Sequence, residues 1–199
     1  MGLPDFDAPL AAGQSTIAPT SLAHVVLRTA DLPRLEDFYT KFLGGKVVFS
    51  DGPISFIAYD NEHHRIALIA IPGTAAKNPK MCGLEHIAFA FDSLADLLLA
   101  YRQRKQQGIL PCWSVNHGPT TSIYYRDPDG NMLETQTDNF GSADEATAFM
   151  MGPKFRENPI GTDVDPEALI AALREGKTEA ELKVREEIGP RGVPDIDAM

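Results

Sequence analysis

Residues 22–45, LAHVVLRTADLPRLEDFYTKFLGG, and residues 84–108, LEHIAFAFDSLADLLLAYRQRKQQG, are two versions of one pattern. Each begins with a short apolar run around a histidine, which is typical of a strand. Each continues with apolar residues three and four apart, which predicts an amphipathic helix. At an offset of 62 the matched identical pairs are Leu22/Leu84, His24/His86, Leu32/Leu94, Leu35/Leu97 and Tyr39/Tyr101. We interpret the pattern as an internal duplication.

Short strand-like runs follow each predicted helix. They read VVFS, ISFIAYD and HRIALIAI in the first unit, and LPCWSV, TSIYYR and NMLETQT in the second. The last two runs are joined by DPDG, in which Pro fixes φ and Gly accepts a positive φ, as a tight turn requires. The sequence therefore predicts an α+β fold of two paired βαβββ modules, at about residues 21–74 and 82–138. These modules should form a curved mixed sheet around a shared site.

The segments that flank residues 21–140 differ in character from the modules. Residues 1–20 are rich in Pro, Gly, Ala and Ser, which predicts an extended arm. Residues 141–199 contain three helix starts, at Ser142, at Asp165 with Pro after it, and at Thr178, where a helix is predicted through TEAELKVREE. We expect a helical appendage that packs on the core or on a neighbouring subunit. It contains no recognisable catalytic motif.

Composition excludes several classes of partner. The formal charge is −10, and no cluster of Lys or Arg is present, so neither nucleic acid nor an anionic membrane surface is an expected partner. No apolar run approaches the roughly 18 residues of a transmembrane helix. The first residues lack the basic and apolar regions of a signal peptide. We expect a cytoplasmic protein that acts on a small molecule.

Three residues are candidates for a metal site. His24 and His86 occupy equivalent positions on the first strands of the two modules, and a pseudo-twofold axis would bring such positions together. Glu134 lies on the last strand of the second module. Two imidazoles and one carboxylate form the facial set that binds Fe(II) and leaves three positions open. Mn(II) suits the same ligands.

The first module offers no acid that matches Glu134. Its counterpart falls on Ile66, Ala67 or Leu68. Taken singly, a histidine on an apolar strand is commonly a hydrogen-bonded core residue, and a Glu on an alternating strand is commonly solvated. The joint placement favours three protein ligands over these ordinary interpretations. His63 and His64, at a predicted hairpin turn, are expected to be exposed.

The order LAHVVL, LEHIAFAF and NHGPTTSIYYRDPDGNMLE resembles the vicinal oxygen chelate superfamily, which also contains glyoxalases and bleomycin-resistance proteins. The resemblance covers roughly residues 20–140. Within the superfamily, the sequence is most similar to type I extradiol ring-cleaving dioxygenases. The resemblance implies that His24, His86 and Glu134 bind Fe(II). It also implies an acid/base role for His117 and contact between Tyr124 and a substrate oxygen. Tyr125 lies on the opposite face of the strand, and a shift of one residue in register would exchange the two tyrosines.

The function that this resemblance implies is an oxidoreductase that incorporates both atoms of O₂ into a catechol-type aromatic diol, or into a larger polyphenol. A homo-oligomer is expected, with a dimer favoured. Two alternatives stay open at this point. One is an O₂-independent metal-dependent lyase or isomerase on the same scaffold. The other is a ligand-sequestering resistance protein without catalysis. For His117 itself, the alternative is a loop cap beside Gly118 and Pro119.

Overall fold

The computed structural model describes residues 5–9, 11–78 and 80–194, so the ends of the predicted arm and appendage lie outside the described residues. The first module forms as predicted. Its elements are β1 (Val25–Thr29), α1 (Leu32–Leu43), β2 (Lys46–Asp51), β3 (Ile54–Ala58) and β4 (Ile66–Ala70). The Asp31 carboxylate caps the start of α1, and Gly44 ends the helix at φ 62°, where a side chain would be strained.

The second module repeats this order. Its elements are β5 (His86–Ala90), α2 (Leu94–Gln106), β6 (Trp113–Asn116), β7 (Thr120–Arg126) and β8 (Met132–Asp138). The α+β class and the paired modules predicted from the sequence are confirmed. Hydrogen bonding divides the strands into two mixed sheets, one for each module, in the orders β1-β4-β3-β2 and β5-β8-β7-β6.

The first and last strands of each module lie side by side and run parallel. In the first module Val26 pairs with Ala67, and in the second Ala88 pairs with Glu134. Because Val26 and Ala88 are equivalent in the duplication, Ala67 is the counterpart of Glu134. The pairing therefore decides among the three residues that the sequence left open.

The two modules share one apolar core and two polar contacts. Tyr39 of α1 is fully buried, and its hydroxyl donates to Asp127 in the DPDG turn of module two at 3.0 Å. In the other direction, the Arg104 guanidinium of α2 donates to the Phe42 carbonyl at 2.8 Å and lies 4.3 Å from the Phe42 ring centroid. The DPDG turn, which precedes the strand of Glu134, is thus attached to the first module.

The C-terminal segment continues the second module. It contains α3 (Ala143–Met151), α4 (Pro153–Glu157), β9 (Thr162–Asp163), α5 (Pro166–Arg174) and α6 (Glu179–Leu182). Strand β9 pairs with β6 as a fifth strand, and the Glu179 carboxylate accepts from the Leu94 and Ala95 amides at the start of α2. None of the helices in the described part of the chain is long and apolar enough to cross a membrane.

The three predicted helix starts are present, but α6 is shorter than predicted. Ser142, Asp165 and Thr178 each cap a helix, and Thr178 forms the full capping box with Glu181. The last helix ends at Leu182 rather than continuing to Glu187. The reason is Arg185, which is buried and donates to backbone carbonyls of the second module and of α4, so the chain leaves its helical path.

We expect Tyr39→Phe to lower the free energy of unfolding by about 1.5–3 kcal/mol, because a buried carboxylate loses a donor. Urea unfolding followed by circular dichroism measures the change. Tyr101→Phe is the matched control, since the repeat-equivalent Tyr101 hydroxyl donates to Glu167, whose carboxylate Lys105 and Arg102 also bind. The control should change stability clearly less. Equal changes in the two variants would contradict a special role for the contact between modules.

Candidate metal and catalytic site

His86 and Glu134 project from the same face of the adjacent strands β5 and β8. Their Nε2 and Oε2 atoms are 3.0 Å apart, and the side chains are 36% and 6% exposed. Two ligand atoms in neighbouring positions on one metal ion, each at about 2.1 Å, lie about 3 Å from each other. The spacing and the nitrogen–oxygen donor set therefore fit a shared divalent cation.

The electrostatics of this pair favour the charged forms. The hydrogen bond to Glu134 raises the pKa of His86, against the opposing effect of partial burial. Burial by itself would raise the pKa of Glu134, but hydrogen bonds from His86, Ser122 and Tyr124 outweigh it, and the pKa lies below its ordinary value. Without metal the two side chains are joined by a hydrogen bond from His86 Nε2 to Glu134 Oε2. A cation that binds here takes the place of the His86 proton.

Tyr124 extends the site from Glu134 to His117. It pairs with Glu134 across β7 and β8, and its hydroxyl hydrogen-bonds that carboxylate and lies 3.0 Å from His117 Nε2. Burial raises the pKa of Tyr124, so its phenol stays protonated. Tyr125 points the other way, fully buried against Phe42 with ring centroids 5.2 Å apart. The tyrosine on the face of the site is therefore Tyr124.

The hydrogen bonds of His117 determine which ring nitrogen carries the proton. Nδ1 bonds the backbone carbonyl of Ile160, and a carbonyl can only accept, so Nδ1 is the donor. In the neutral ring, Nε2 then carries a lone pair, so Nε2 and the Glu134 carboxylate are alternative acceptors for the single proton of the Tyr124 hydroxyl. Burial lowers the pKa of His117, although the Ile160 carbonyl raises it, and the ring is therefore neutral at pH 7. His117 has the form of a general base.

His24 is placed apart from this group. It immediately precedes β1, and its ring lies against that of His64, with centroids 4.5 Å apart and planes tilted by 36°. Within the described ranges, no three His, Cys, Asp or Glu side chains are arranged to hold a metal ion. A cleft between β1 and β5 is nevertheless lined by both His24 and Ala88, the strand partner of Glu134. His24 as a third ligand stays a prediction.

The two turn histidines differ in exposure. His63 is exposed, as expected, whereas His64 is half-buried between the rings of His24 and Phe56, with a centroid distance of 4.5 Å to each. The expectation of an exposed His64 was therefore wrong. An aromatic residue on the neighbouring strand β3 offers its ring a face to cover, which the turn sequence alone did not indicate.

The C-terminal segment, in which the sequence showed no chemistry, supplies part of the site. The Ile160 carbonyl sets the tautomer of His117. Asp163 accepts from the indole of Trp113, whose ring stacks on Tyr124 with centroids 5.0 Å apart. These contacts are made by backbone atoms and by a two-residue strand. Neither leaves a motif that sequence reasoning could recognise.

Comparison with known proteins agrees with this fold. Residues 21–135 match the model of the Glyoxalase/Bleomycin resistance protein/Dioxygenase superfamily. The chain belongs to this superfamily. The same fold is found in a solved glyoxylase/bleomycin resistance protein/dioxygenase domain from Frankia sp. EAN1pec, with a TM-score of 0.53. The two sequences are 22% identical, and the match covers 63% of this chain and 96% of that domain.

Two relatives from Rhodococcus globerulus define the class more narrowly. The chain is 44% identical to biphenyl-2,3-diol 1,2-dioxygenase 2, over 80% of this chain and 84% of that enzyme. It is also 44% identical to biphenyl-2,3-diol 1,2-dioxygenase 3, over 85% of this chain and 90% of that enzyme. Identity at this level over most of the chain confirms the prediction of an extradiol dioxygenase. A match over 85% of 199 residues must continue past residue 135, so part of the C-terminal segment is shared as well.

We expect Gly161→Ala to destabilise the protein by roughly 2–5 kcal/mol, from left-handed strain and steric overlap together. Gly161 has φ +101°, and an added Cβ would lie 2.2 Å from the Asn116 carbonyl oxygen and 2.7 Å from His117 Cα. Gly176→Ala is the matched control, because Gly176 has φ +92° with no atom within 4 Å of the added carbon. Urea unfolding of both variants checks the difference. Equal losses would mean that close packing against the His117 loop contributes nothing.

Proposed function

We propose that the protein is an Fe(II)-dependent dioxygenase that cleaves a catechol-type aromatic diol with O₂, at a bond beside the two hydroxyl groups. The observation that carries the proposal is that two pairs of residues, His86 with Glu134 and Tyr124 with His117, are in hydrogen-bond contact with each other. His86 and Glu134 form a candidate metal-binding pair, and Tyr124 joins them to His117, which has the protonation of a general base. Candidate metal ligands and a proton acceptor thus belong to one group of hydrogen-bonded side chains.

The proposed ligands are His86, Glu134 and His24. For His24 to join the pair, its side chain must leave His64, and its position on the cleft between β1 and β5 supports that movement. Fe(II) is the expected metal, and Mn(II) is the alternative that suits the same donors. Bound there, the metal would bring the electron-rich ring and O₂ together and pass charge between them.

The protein side chains would manage the protons and the orientation of the ring. His117 Nε2 is placed to take a phenolic proton as the diol binds and to return it later. The Tyr124 hydroxyl, protonated and fixed between Glu134 and His117, would orient a diol oxygen. Trp113, stacked on Tyr124, would offer an aromatic surface to the substrate ring.

An aryl-substituted catechol is the substrate class that we favour, because both Rhodococcus relatives are named for biphenyl-2,3-diol. The alternative function, an O₂-independent lyase or isomerase, has less support than the dioxygenase. A glyoxalase-type site would need a fourth carboxylate, and Ala67 occupies the position equivalent to Glu134. A homo-oligomer, with a dimer favoured, stays a prediction.

The direct test is O₂ uptake by protein loaded anaerobically with Fe(II), measured with catechols that carry small and aryl substituents. We expect one O₂ consumed per diol and a yellow product. His117→Ala should lower kcat by about 10²–10⁴-fold, the usual contribution of a general base. His63→Ala is the control and should leave kcat unchanged. Stoichiometric metal without O₂ uptake on any diol would overturn the proposal in favour of an O₂-independent reaction.

The role of His24 has a separate test in metal binding. His24→Ala should weaken Fe(II) affinity, as His86→Ala and Glu134→Ala should, because each removes one proposed ligand. His64→Ala should keep or increase the Fe(II) affinity, because it removes the ring that lies against His24. Anaerobic titration with a competing chelator measures all four. Unchanged affinity in His24→Ala, alongside losses in the other two ligand variants, would remove His24 from the metal site.

A further inference from the structure

Arg185 is a buried cation of the C-terminal segment to which the proposed reaction assigns no part. Its side chain is 2% exposed. One terminal nitrogen donates to the carbonyls of His117 at 3.0 Å and Asn158 at 2.7 Å. The other donates to the Lys154 carbonyl at 3.1 Å and to the Glu187 carboxylate at 2.8 Å. Burying a guanidinium is costly, because its charge loses contact with water. Here one carboxylate and three neutral carbonyls offset that loss, and the burial of Arg185 calls for a structural explanation.

We infer that Arg185 is a positioning residue for His117. It joins the loop that carries His117 to the loop that carries the acceptor of its Nδ1 proton, the Ile160 carbonyl. The functional consequence rests on the proposed role of His117 as the base, whereas the effect on the His117 tautomer does not.

The loop of Ile160 is held in one conformation from within. The Asn158 side-chain oxygen accepts from the Ile160 amide at 3.2 Å and from the Gly161 amide at 2.8 Å. The Asn158 side-chain nitrogen donates to the Gly161 carbonyl at 3.1 Å. These bonds close the loop and leave the Ile160 carbonyl directed at His117. Arg185 binds the backbone of Asn158, the residue on which the loop depends.

The loop of His117 is held in a similar way. The Asn116 side-chain oxygen accepts from the Gly118 amide at 2.9 Å and from Asn139 at 3.0 Å. Phe149 of α3 packs so closely on Gly118 that an added Cβ would lie 2.2 Å from its ring, and the Arg185 guanidinium lies 5.2 Å from the centroid of that ring. Arg185 thus contacts the supports of both loops.

A guanidinium suits this task and an ammonium does not. The planar fork of arginine donates from both terminal nitrogens in fixed directions, and here one nitrogen binds the two loops while the other binds α4 and Glu187. A lysine at this position keeps the charge but cannot hold the same four acceptors at once. Without the bridge, the Ile160 carbonyl is no longer fixed opposite Nδ1. The proton of the neutral ring is then free to move to Nε2, where it blocks the lone pair.

The test compares Arg185→Met and Arg185→Lys with Arg102→Met. Arg102 also ties the C-terminal segment to the core, through Glu167 at 2.6 Å, but it contributes nothing to the His117 or Ile160 loops. Two readouts are measured on each full-length variant. The first is the histidine ring ¹⁵N spectrum of the metal-free protein, in which the His117 signals are identified by their absence in His117→Asn. The second is kcat and KM for O₂ uptake.

We expect the wild type and Arg102→Met to show His117 with the proton on Nδ1 alone. Both Arg185 variants should show a mixture of tautomers, and kcat should fall about 10–100-fold, as for other supporting contacts around a site, with little change in KM. A wild-type tautomer in folded Arg185→Met overturns the inference. So does full rescue of tautomer and kcat by Arg185→Lys, because charge alone would then suffice.

If Arg185→Met does not fold, as judged by circular dichroism, Arg185→Lys decides the question, because it keeps the charge and most of the aliphatic stem. Failure of the proposed function has a different result. Wild-type protein would then consume no O₂ with any diol, while the ¹⁵N spectra would still show whether Arg185 sets the His117 tautomer.

Discussion

The parallel pairing of the first and last strands in the second module is the constraint on which the site depends. It places the strand of His86 directly beside the strand of Glu134, with Ala88 opposite the carboxylate. Parallel strands cannot be joined by a tight turn, so the intervening helix and two further strands are the connection that makes this contact. One consequence is that the candidate ligands are 48 residues apart in the chain but on neighbouring backbones. Rigid strands on both sides limit how far their nitrogen and oxygen atoms can separate.

A second constraint follows from burial. Glu134 and Tyr124 are buried and His117 is partly buried, and polar groups removed from water must find partners. The carboxylate accepts from His86 and Ser122, the single Tyr124 proton is donated either to Glu134 or to His117 Nε2, and the imidazole donates to Ile160. The chain of bonds therefore ends in the backbone of the C-terminal segment. Without that segment, Nδ1 of His117 would need another acceptor, so the segment belongs to the site as well as to the fold.

The sequence was sufficient to predict the modules, and four of its candidate residues, His86, Glu134, Tyr124 and His117, lie together in the structure. The prediction rested on three features: a duplicated histidine in an apolar run, apolar residues at helical spacing, and a DPDG turn. Each is recognisable from a few neighbouring residues. The contacts that the sequence did not predict are between distant parts of the chain. Ile160 acts through its carbonyl, which every residue possesses, and β9 is two residues long. Arg185 resembles any other charged residue in KVREE until its burial is known.

The two copies of the module have also diverged, and the candidate site residues other than His24 all lie in the second. In the first module Ala67 stands where Glu134 stands in the second, and Asp60, the counterpart of Asp127 at the offset of 67, binds Arg65 at the surface. Asp127 instead receives the Tyr39 hydroxyl and two backbone amides, so the turn before Glu134 is held by a buried carboxylate. The first module has thus kept its helix and sheet, and it supports the second through Tyr39. A site that requires one carboxylate and open coordination positions needs this asymmetry, because a second acid at residue 67 would compete with substrate for the metal.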